Sequence, residues 1–205
     1  MDLVDKIKIL KKEIGDVVDS RIKEFESVGK EKEDKVFSEL CFCLLTANFQ
    51  AEKCIKIQKD LGRGIEFLPE EKLAQELKKA GHRFWPQRAE RIVNARACSL
   101  ELQNAIMKKS GEEMRLWLVE NVKGLGMKEA SHFLRNVGHK DVAIIDFHII
   151  DLLVREGLVG KPKTLTKKKY VEIEKVLREL GKKVGLDLAR LDLYLWYIET
   201  GKILK

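Results

Sequence analysis

The sequence predicts an all-α protein, and three observations indicate this class. Apolar residues recur with a helical period along nearly the whole chain, and the alternation typical of strands nowhere persists. Only three of the 205 residues are proline. Charged residues make up 36% and hydrophobic residues 44% of the chain, a balance typical of a folded, mostly helical protein rather than a disordered one.

Helical periodicity divides the chain into a series of helices. They are predicted over residues 3–28, 34–48, 50–61, 70–80, 85–108, 111–121, 127–137, 147–156, 167–184 and 187–200. Residues 40–47 are apolar nearly all round, which predicts the central helix of a bundle. The clearest breaks are residues 61–64 and 157–163, where turn residues cluster. An apolar, strand-like run covers residues 142–145.

The excess of basic residues is compatible with a polyanionic partner. Lys and Arg total 40 against 33 Asp and Glu, which gives a formal net charge of +7, although many basic proteins bind nothing acidic. No apolar run approaches the ~18 residues that a membrane span requires. The first residues mix acids and bases, unlike a signal peptide. We therefore expect a cytoplasmic protein that contacts no membrane.

The cysteines and histidines predict no metal centre. Cys41, Cys43, Cys54 and Cys98 include no C-x-x-C pair, so we expect reduced, mostly buried thiols. The four histidines show no H-x-x-x-H pairing, which argues against zinc-dependent hydrolysis. The residues themselves thus point to chemistry without a cofactor.

Residues 122–132, VKGLGMKEASH, form the most informative motif. Gly124 and Gly126 interrupt two apolar helical patterns and allow a tight turn with exposed amides, because they carry no Cβ. Those amides, with the positive end of the following helix, predict a phosphate site. Lys128 lies in the first turn of that helix, where a cation opposes the helix dipole at a cost of up to about 1 kcal/mol. This placement favours a functional lysine; an exposed lysine beside a non-catalytic DNA-binding hairpin is the alternative.

Asp146 is the second candidate. It lies 18 residues after Lys128, between the apolar run 142–145 and a new amphipathic helix. A carboxylate there could stabilise positive charge on a substrate or assist proton transfer. Asp is also a preferred N-cap, so a purely structural role and a combination of both roles stay open.

A helix–hairpin–helix that ends in a lysine, with an aspartate at this distance, resembles the helix–hairpin–helix superfamily of base-excision DNA glycosylases. Three stretches narrow the resemblance: LCFCLLTANFQ (40–50), AGHRFWPQRAERI (80–92) and DLYLWYIETGKILK (192–205). They are similar to the archaeal-type 8-oxoguanine DNA glycosylase/AP lyase family, and the similarity runs over essentially the whole chain.

The resemblance implies a two-lobed helical bundle with a DNA-binding cleft between the lobes. Residues 31–135 would form a central lobe that ends with the helix–hairpin–helix. Residues 1–30 and 136–205 would form a terminal lobe. The partner would be double-stranded DNA that contains 8-oxoguanine or abasic sites, bound by a monomer. No cofactor is implied, apart from a structural K⁺ or Na⁺ ion at the hairpin.

The resemblance also implies the chemistry of a bifunctional repair enzyme. The Lys128 amine would attack C1′ of a nucleotide flipped out of the duplex and displace 8-oxoguanine. Ring opening would give a Schiff base, from which β-elimination cleaves the abasic site. The attack requires an unprotonated amine, and a helix N-terminus and partial desolvation both disfavour the ammonium. Asp146 would stabilise positive charge on the sugar or assist proton transfer.

Four further residues are implied in recognition of the base and the DNA. Phe84 and Trp196 are candidates for stacking on the extruded base, although aromatic residues more often belong to a core. Lys205 would reach the lesion pocket, where its charge and the chain carboxylate would distinguish oxidised from normal guanine. Asn48 would fill the gap that the flipped base leaves, or would simply end a helix.

Three arginines, Arg83, Arg88 and Arg91, flank the aromatic pair Phe84 and Trp85. They could hold phosphates, but ordinary surface arginines are the simpler interpretation. Two rival functions remain open. One keeps the chemistry and changes the lesion, for example to an oxidised pyrimidine or a mispaired adenine. The other is a non-catalytic helix–hairpin–helix DNA-binding protein.

Overall fold

A computed structural model describes all 205 residues and contains helices but no strand, which confirms the all-α class. The α-helices are α1 (Leu3–Val28), α2 (Glu33–Thr46), α3 (Ala51–Leu61), α4 (Gly64–Phe67), α5 (Glu70–Lys79), α6 (Trp85–Ala95), α7 (Ser99–Lys108), α8 (Gly111–Asn121), α9 (Met127–Asn136), α10 (Phe147–Arg155), α11 (Lys167–Val184) and α12 (Leu188–Thr200). None of them combines the length and the apolar character that a bilayer crossing requires.

The structure differs from the predicted helices at two places. The single helix predicted over 85–108 is interrupted by a 3₁₀ turn, Arg96–Cys98, which separates α6 from α7. Neither Gly nor Pro marks this turn, and buried apolar residues recur at helical spacing on both sides. Arg96 Nη2 donates a hydrogen bond to the Ile65 carbonyl oxygen at 3.2 Å. This bond ties the interruption to the short helix α4, which the periodicity did not predict.

Helix α2 is the central helix, as its apolar sequence predicts. Every residue from Glu39 to Thr46 is buried, and α2 packs against α3, α4, α6, α7 and α9. A helix surrounded in this way has no face left for polar residues. It forms the centre of a first hydrophobic cluster of 28 buried residues, which extends along the chain from Val36 to Val142.

A second hydrophobic cluster contains 22 buried residues, contributed mainly by α1, α10, α11 and α12. The two ends of the chain therefore pack together. Helix α9 belongs to both clusters: Met127 lies in the second, whereas Phe133 and Leu134 lie in the first. The predicted lobe boundaries, 31–135 against 1–30 with 136–205, stay a prediction.

Two buried ion pairs connect the helices between the clusters. Arg115 on α8 pairs with Glu174 on α11, and Arg135 on α9 pairs with Asp192 on α12. No more than 9% of any of these four side chains is exposed. Because the loss of one partner would leave an uncompensated buried charge, each pair fixes how its two helices meet.

Candidate active site

A cavity of about 1040 Å³ opens where the first turn of α9 faces α12 and the turn between α2 and α3. Five of the eight predicted site residues line it, although they are far apart in the sequence: Asn48, Lys128, Asp146, Trp196 and Lys205. Small-molecule sites are typically about 300 to 1,000 Å³. The cavity is therefore large enough for a ligand of nucleotide size.

The hairpin before α9 places Lys128 at this cavity. Gly124 has a φ of +96°, and a Cβ there would lie 2.4 Å from the Arg91 side chain, so this position requires glycine. Gly126, in contrast, is extended with a φ of −97°, which any residue adopts. Of the two glycines, only Gly124 adopts the left-handed conformation that a tight glycine turn requires. Neither glycine lines the cavity.

Lys128 is the second residue of α9, and 26% of its side chain is exposed. Its Nζ lies 4.0 Å from Glu129 Oε1. The other Glu129 oxygen accepts a hydrogen bond from the Gly126 amide at 3.3 Å. That amide is thus already bonded within the hairpin, and its role as a phosphate ligand stays a prediction. The lysine amine, in contrast, faces the cavity beside its own helix N-terminus.

Asp146 lines the same cavity and is the N-cap residue of α10. Its Oδ1 accepts a hydrogen bond from the Ile149 amide at 3.0 Å, so the N-cap interpretation is confirmed. The cap uses one carboxylate oxygen and fixes the side chain at the cavity. A capping carboxylate that also lines the cavity can act on a ligand with its second oxygen.

The segment before Asp146, residues 142–145, is buried and forms no strand despite its strand-like sequence, as the all-α prediction requires. Side chains of α11 take the place of a neighbouring strand. Glu174 Oε2 accepts from the Ala143 amide at 2.8 Å. The Tyr170 hydroxyl donates to the Ala143 carbonyl oxygen at 2.7 Å and accepts from the Ile145 amide at 3.1 Å. Burial raises the pKa of this hydroxyl, which keeps it a donor.

Trp196 is the predicted aromatic residue that reaches the cavity. Its ring stands edge-on to His148 at 5.3 Å, and its indole N–H is buried without a hydrogen-bond partner. Phe84 does not line the cavity; its ring lies beside the guanidinium groups of Arg83 and Arg88, at 5.1 and 5.6 Å. The cavity is instead lined by Phe147, which is 67% exposed and directly follows Asp146.

Asn48 both ends a helix and lines the cavity. It follows the C-cap of α2 with a φ of +58°, a left-handed conformation that asparagine tolerates better than most residues. Arg88 Nη2 donates to the Ala47 carbonyl oxygen at 2.5 Å and fixes this turn. Arg88 is only 4% exposed, so its interpretation as a surface arginine is wrong. Arg83 is exposed and lines the cavity.

Lys205 reaches the cavity from the residues that follow α12. Its Nζ lies 2.5 Å from Glu39 Oε1 and 2.5 Å from Gln58 Oε1. It also lies 4.4 Å from the centre of the Phe42 ring. Sequence reasoning missed Glu39 and Gln58, which belong to α2 and α3. The available signal was an acidic residue directly before the apolar stretch 40–47.

His132 is a further cavity residue that the sequence analysis did not single out. It is 7% exposed and lies one turn after Lys128 on α9. Burial, with the positive charges of Arg135 and Lys128, lowers the pKa of His132 well below its ordinary value. The imidazole is therefore neutral at physiological pH, and it adds no charge beside the lysine amine.

The thiols carry no part of the site. All four cysteines are free, and Cys41, Cys43 and Cys54 are buried. Burial raises the pKa of the Cys54 thiol to about 12. No cluster of three or more His, Cys, Asp or Glu side chains with the spacing of metal ligands occurs.

Comparison with known proteins gives one consistent family. The model of the Ogg-HhH family, described as 8-oxoguanine DNA glycosylase, matches residues 18–186. A protein of Methanocaldococcus jannaschii named 8-oxoguanine DNA glycosylase/AP lyase is 50% identical over 208 residues, which cover 100% of both chains. A protein of the same name from Korarchaeum cryptofilum is 49% identical and covers 100% of this chain and 98% of its own.

Solved structures agree with the sequence relatives. The 8-oxoguanine glycosylase/lyase of M. jannaschii, crystallised with a 15mer DNA that contains 8-oxoguanine, superposes with a TM-score of 0.96, 50% identity and full coverage of both chains. The 8-oxoguanine DNA glycosylase of Thermotoga maritima gives a TM-score of 0.94 at 42% identity, over 99% of this chain and 98% of that one. An endonuclease III–DNA complex, at 18% identity and a TM-score of 0.59, shares the fold.

Proposed function

The chain belongs to the Ogg-HhH family of 8-oxoguanine DNA glycosylases, and we infer that Lys128 carries both of its activities. It is a DNA repair enzyme that excises 8-oxoguanine and cleaves the resulting abasic site. One observation supports the role of Lys128 above all: its partly buried amine lines the cavity that Asp146 also lines. This is the arrangement that nucleophilic attack on a flipped nucleotide requires.

In the proposed mechanism the Lys128 amine attacks C1′ of the flipped nucleotide. The C1′–N9 bond breaks, and the bonding electrons and a proton leave with 8-oxoguanine. Opening of the sugar ring then converts the lysine adduct into a Schiff base between Nζ and C1′. The Schiff base acidifies the C2′ proton; its removal breaks the C3′–O bond and releases the 3′ phosphate. One amine thus accounts for excision and for strand cleavage.

Asp146 is proposed to act on the same nucleotide. Its carboxylate can stabilise the positive charge that develops on the sugar as the base departs, and it can accept a proton from the attacking amine. The N-cap bond to Ile149 holds the carboxylate in a fixed direction while this charge forms. The contacts of Tyr170 and Glu174 hold the preceding backbone. The acid is therefore part of a preorganised wall.

The remaining cavity residues are proposed to bind the base and the DNA. Trp196 offers an aromatic face for an extruded purine, and exposed Phe147 offers a second one at the cavity mouth. Asn48, exposed on its left-handed turn, is suited to fill the gap in the duplex. Lys205 supplies a positive charge to the base. Phe84 would join this site only by a change of conformation.

We propose that a monomer binds double-stranded DNA in the cytoplasm, with the hairpin against the phosphate backbone. Because no cluster of metal-binding side chains occurs, a K⁺ or Na⁺ ion at the hairpin would depend on backbone carbonyl oxygens of residues 122–126. Such an ion would help to hold a phosphate there.

Borohydride trapping tests the role of Lys128. The wild-type enzyme, mixed with duplexes that carry an abasic site or 8-oxoguanine, should form a covalent adduct after reduction of the Schiff base. Lys128→Gln should form none. Lys182→Gln is the matched control, because Lys182 is a helical lysine that is 67% exposed, pairs with Glu179 and lies outside the cavity. It should trap like the wild type.

The same assay separates the rival functions. An adduct with Lys128→Gln would assign the Schiff base to another amine. Binding of these duplexes by the wild type without any adduct would favour a non-catalytic DNA-binding protein. Faster excision of an oxidised pyrimidine, or of adenine opposite 8-oxoguanine, than of 8-oxoguanine itself would favour a different lesion.

A further inference from the structure

The Lys205 ammonium lies in a site built for a cation. A carboxylate oxygen of Glu39 and an amide oxygen of Gln58 accept its hydrogen bonds, and the face of Phe42 lies against it. Only 10% of the Glu39 side chain and 21% of the Lys205 side chain are exposed. An ammonium has three donors and is attracted to the face of an aromatic ring. Two of the donors are bound by Glu39 and Gln58, and the aromatic face is that of Phe42. These three residues are here called the ammonium cradle.

Further hydrogen bonds hold Gln58 and Glu39 in place. Gln58 Nε2 donates to the carbonyl oxygen of Ser38 at 2.9 Å and to its hydroxyl at 3.1 Å, which turns the amide oxygen towards Lys205. Glu39 Oε2 accepts from Asn136 Nδ2 at 3.0 Å. These bonds fix both acceptors before any ligand is present. Glu39 and Gln58 do not line the cavity, whereas Lys205 does.

We propose that Glu39 and Gln58 are positioning residues, which act through Lys205 in the recognition of the intact 8-oxoguanine base, whose edge differs from that of normal guanine. This inference rests on the proposed function. The two bases differ along one edge: 8-oxoguanine carries a hydrogen on N7 and an oxygen on C8, whereas guanine carries a lone pair on N7. The polarity of this edge is reversed by oxidation.

A fixed charge can read this difference, because its interaction with each base then depends on the base alone. A mobile ammonium would turn towards the lone pair of either base and would discriminate less. Ordering a lysine side chain costs conformational entropy. The hydrogen bonds of the cradle offset this cost before the base enters. The cradle therefore affects the recognition of the intact lesion, whereas an abasic site presents no base to recognise.

The test compares two reactions under single-turnover conditions: excision of 8-oxoguanine and nicking of a preformed abasic site. Glu39→Gln is nearly isosteric and removes the charge, and Gln58→Met removes the second acceptor. A hydrogen bond to a charged group corresponds to about 10- to 100-fold in rate. Each variant should lose excision by about that factor, whereas nicking should change by less than about threefold.

Glu66→Gln is the matched control. Glu66 lies on α4, its side chain is 9% exposed, and it does not line the cavity. This substitution measures the general effect of neutralising a buried glutamate on a helix that packs against α2. It should leave both reactions close to those of the wild type. A loss of excision equal to that of Glu39→Gln would overturn the proposal.

A double-mutant cycle decides whether Glu39 acts through Lys205. In a Lys205→Met background the cradle has no ammonium to hold, so the additional Glu39→Gln substitution should cause no further loss of excision. Additive losses would overturn the proposal, and so would equal losses in both reactions. Trapping of an adduct by Glu39→Gln at an abasic site shows that the variant is folded. If the wild type forms no adduct, the proposed function fails; if it does and the cycle is additive, only this inference fails.

Discussion

Replacement of Tyr170 with phenylalanine tests whether one hydroxyl holds the wall that carries Asp146. The hydroxyl donates to the Ala143 carbonyl oxygen and accepts from the Ile145 amide, and Tyr170 is 2% exposed. Phenylalanine keeps the ring and its packing. The substitution therefore removes these two hydrogen bonds, together with a third between the hydroxyl and Ser131 Oγ at 3.3 Å, and leaves two buried backbone groups without partners.

The expected loss follows from these two groups. A buried donor or acceptor without a partner costs about 1 to 3 kcal/mol. The free energy of unfolding should fall by about 2 to 4 kcal/mol, in the lower part of the summed range, because the extended segment can relax. For a protein of this size each kcal/mol lowers the melting temperature by roughly 2 to 4 °C. The melting temperature should therefore fall by roughly 4 to 16 °C.

Urea and thermal unfolding measure this loss, and single-turnover excision reports the displacement of Asp146. Tyr194→Phe is the matched control, because Tyr194 is a tyrosine that is only 3% exposed. Burial, and not a hydrogen bond, raises the pKa of its hydroxyl. It should unfold close to the wild type. Equal stabilities of the two variants would refute the conclusion that the Tyr170 hydroxyl positions this segment.

Two further predictions concern the cavity itself. Asp146→Asn keeps a good N-cap and removes the charge, so the melting temperature should stay near that of the wild type while excision slows; a matching fall of both would leave only the capping role. Burial, with the nearby charges of Arg135 and Lys128, lowers the pKa of His132, so the unfolded chain binds a proton there below about pH 6.5 and the folded protein does not. The stability that His132 contributes above this pH is therefore lost as the pH falls, and His132→Asn should lose less stability than the wild type between pH 7.5 and 5.5 in urea unfolding. An identical loss in the variant would contradict the assignment.

The helices were predictable because their signals are local. Apolar periodicity and capping residues depend on neighbours three or four positions away. The turn at Arg96–Cys98 was not predictable in this way, since its bond to Ile65 joins parts of the chain 31 residues apart. The contacts of residues 142–145 could not be predicted for the same reason. Its partners, Tyr170 and Glu174, lie on a helix more than 20 residues later.

The residues of the candidate site likewise include some that local sequence signals predict and others that depend on long-range contacts. Lys128 and Asp146 could be predicted, because Lys128 follows a glycine turn and Asp146 caps a helix. Both features depend only on neighbouring residues in the sequence. In the sequence, Glu39 and Gln58 occupy ordinary helix positions. Only the folded structure shows that both contact Lys205, which lies at the other end of the chain. For an aromatic residue, only the packing decides between a core, a surface and a cavity.

Helix α9 buries side chains in two separate interiors at once, Met127 in one and Phe133 in the other. A helix that is packed in this way at both ends is unsuited to act as a hinge. A change in the width of the cavity would therefore have to take place in the connections on either side of α9, because the backbone that carries Lys128 is packed at both ends. The amine that we propose as the nucleophile is therefore attached to a helix that both interiors hold in place.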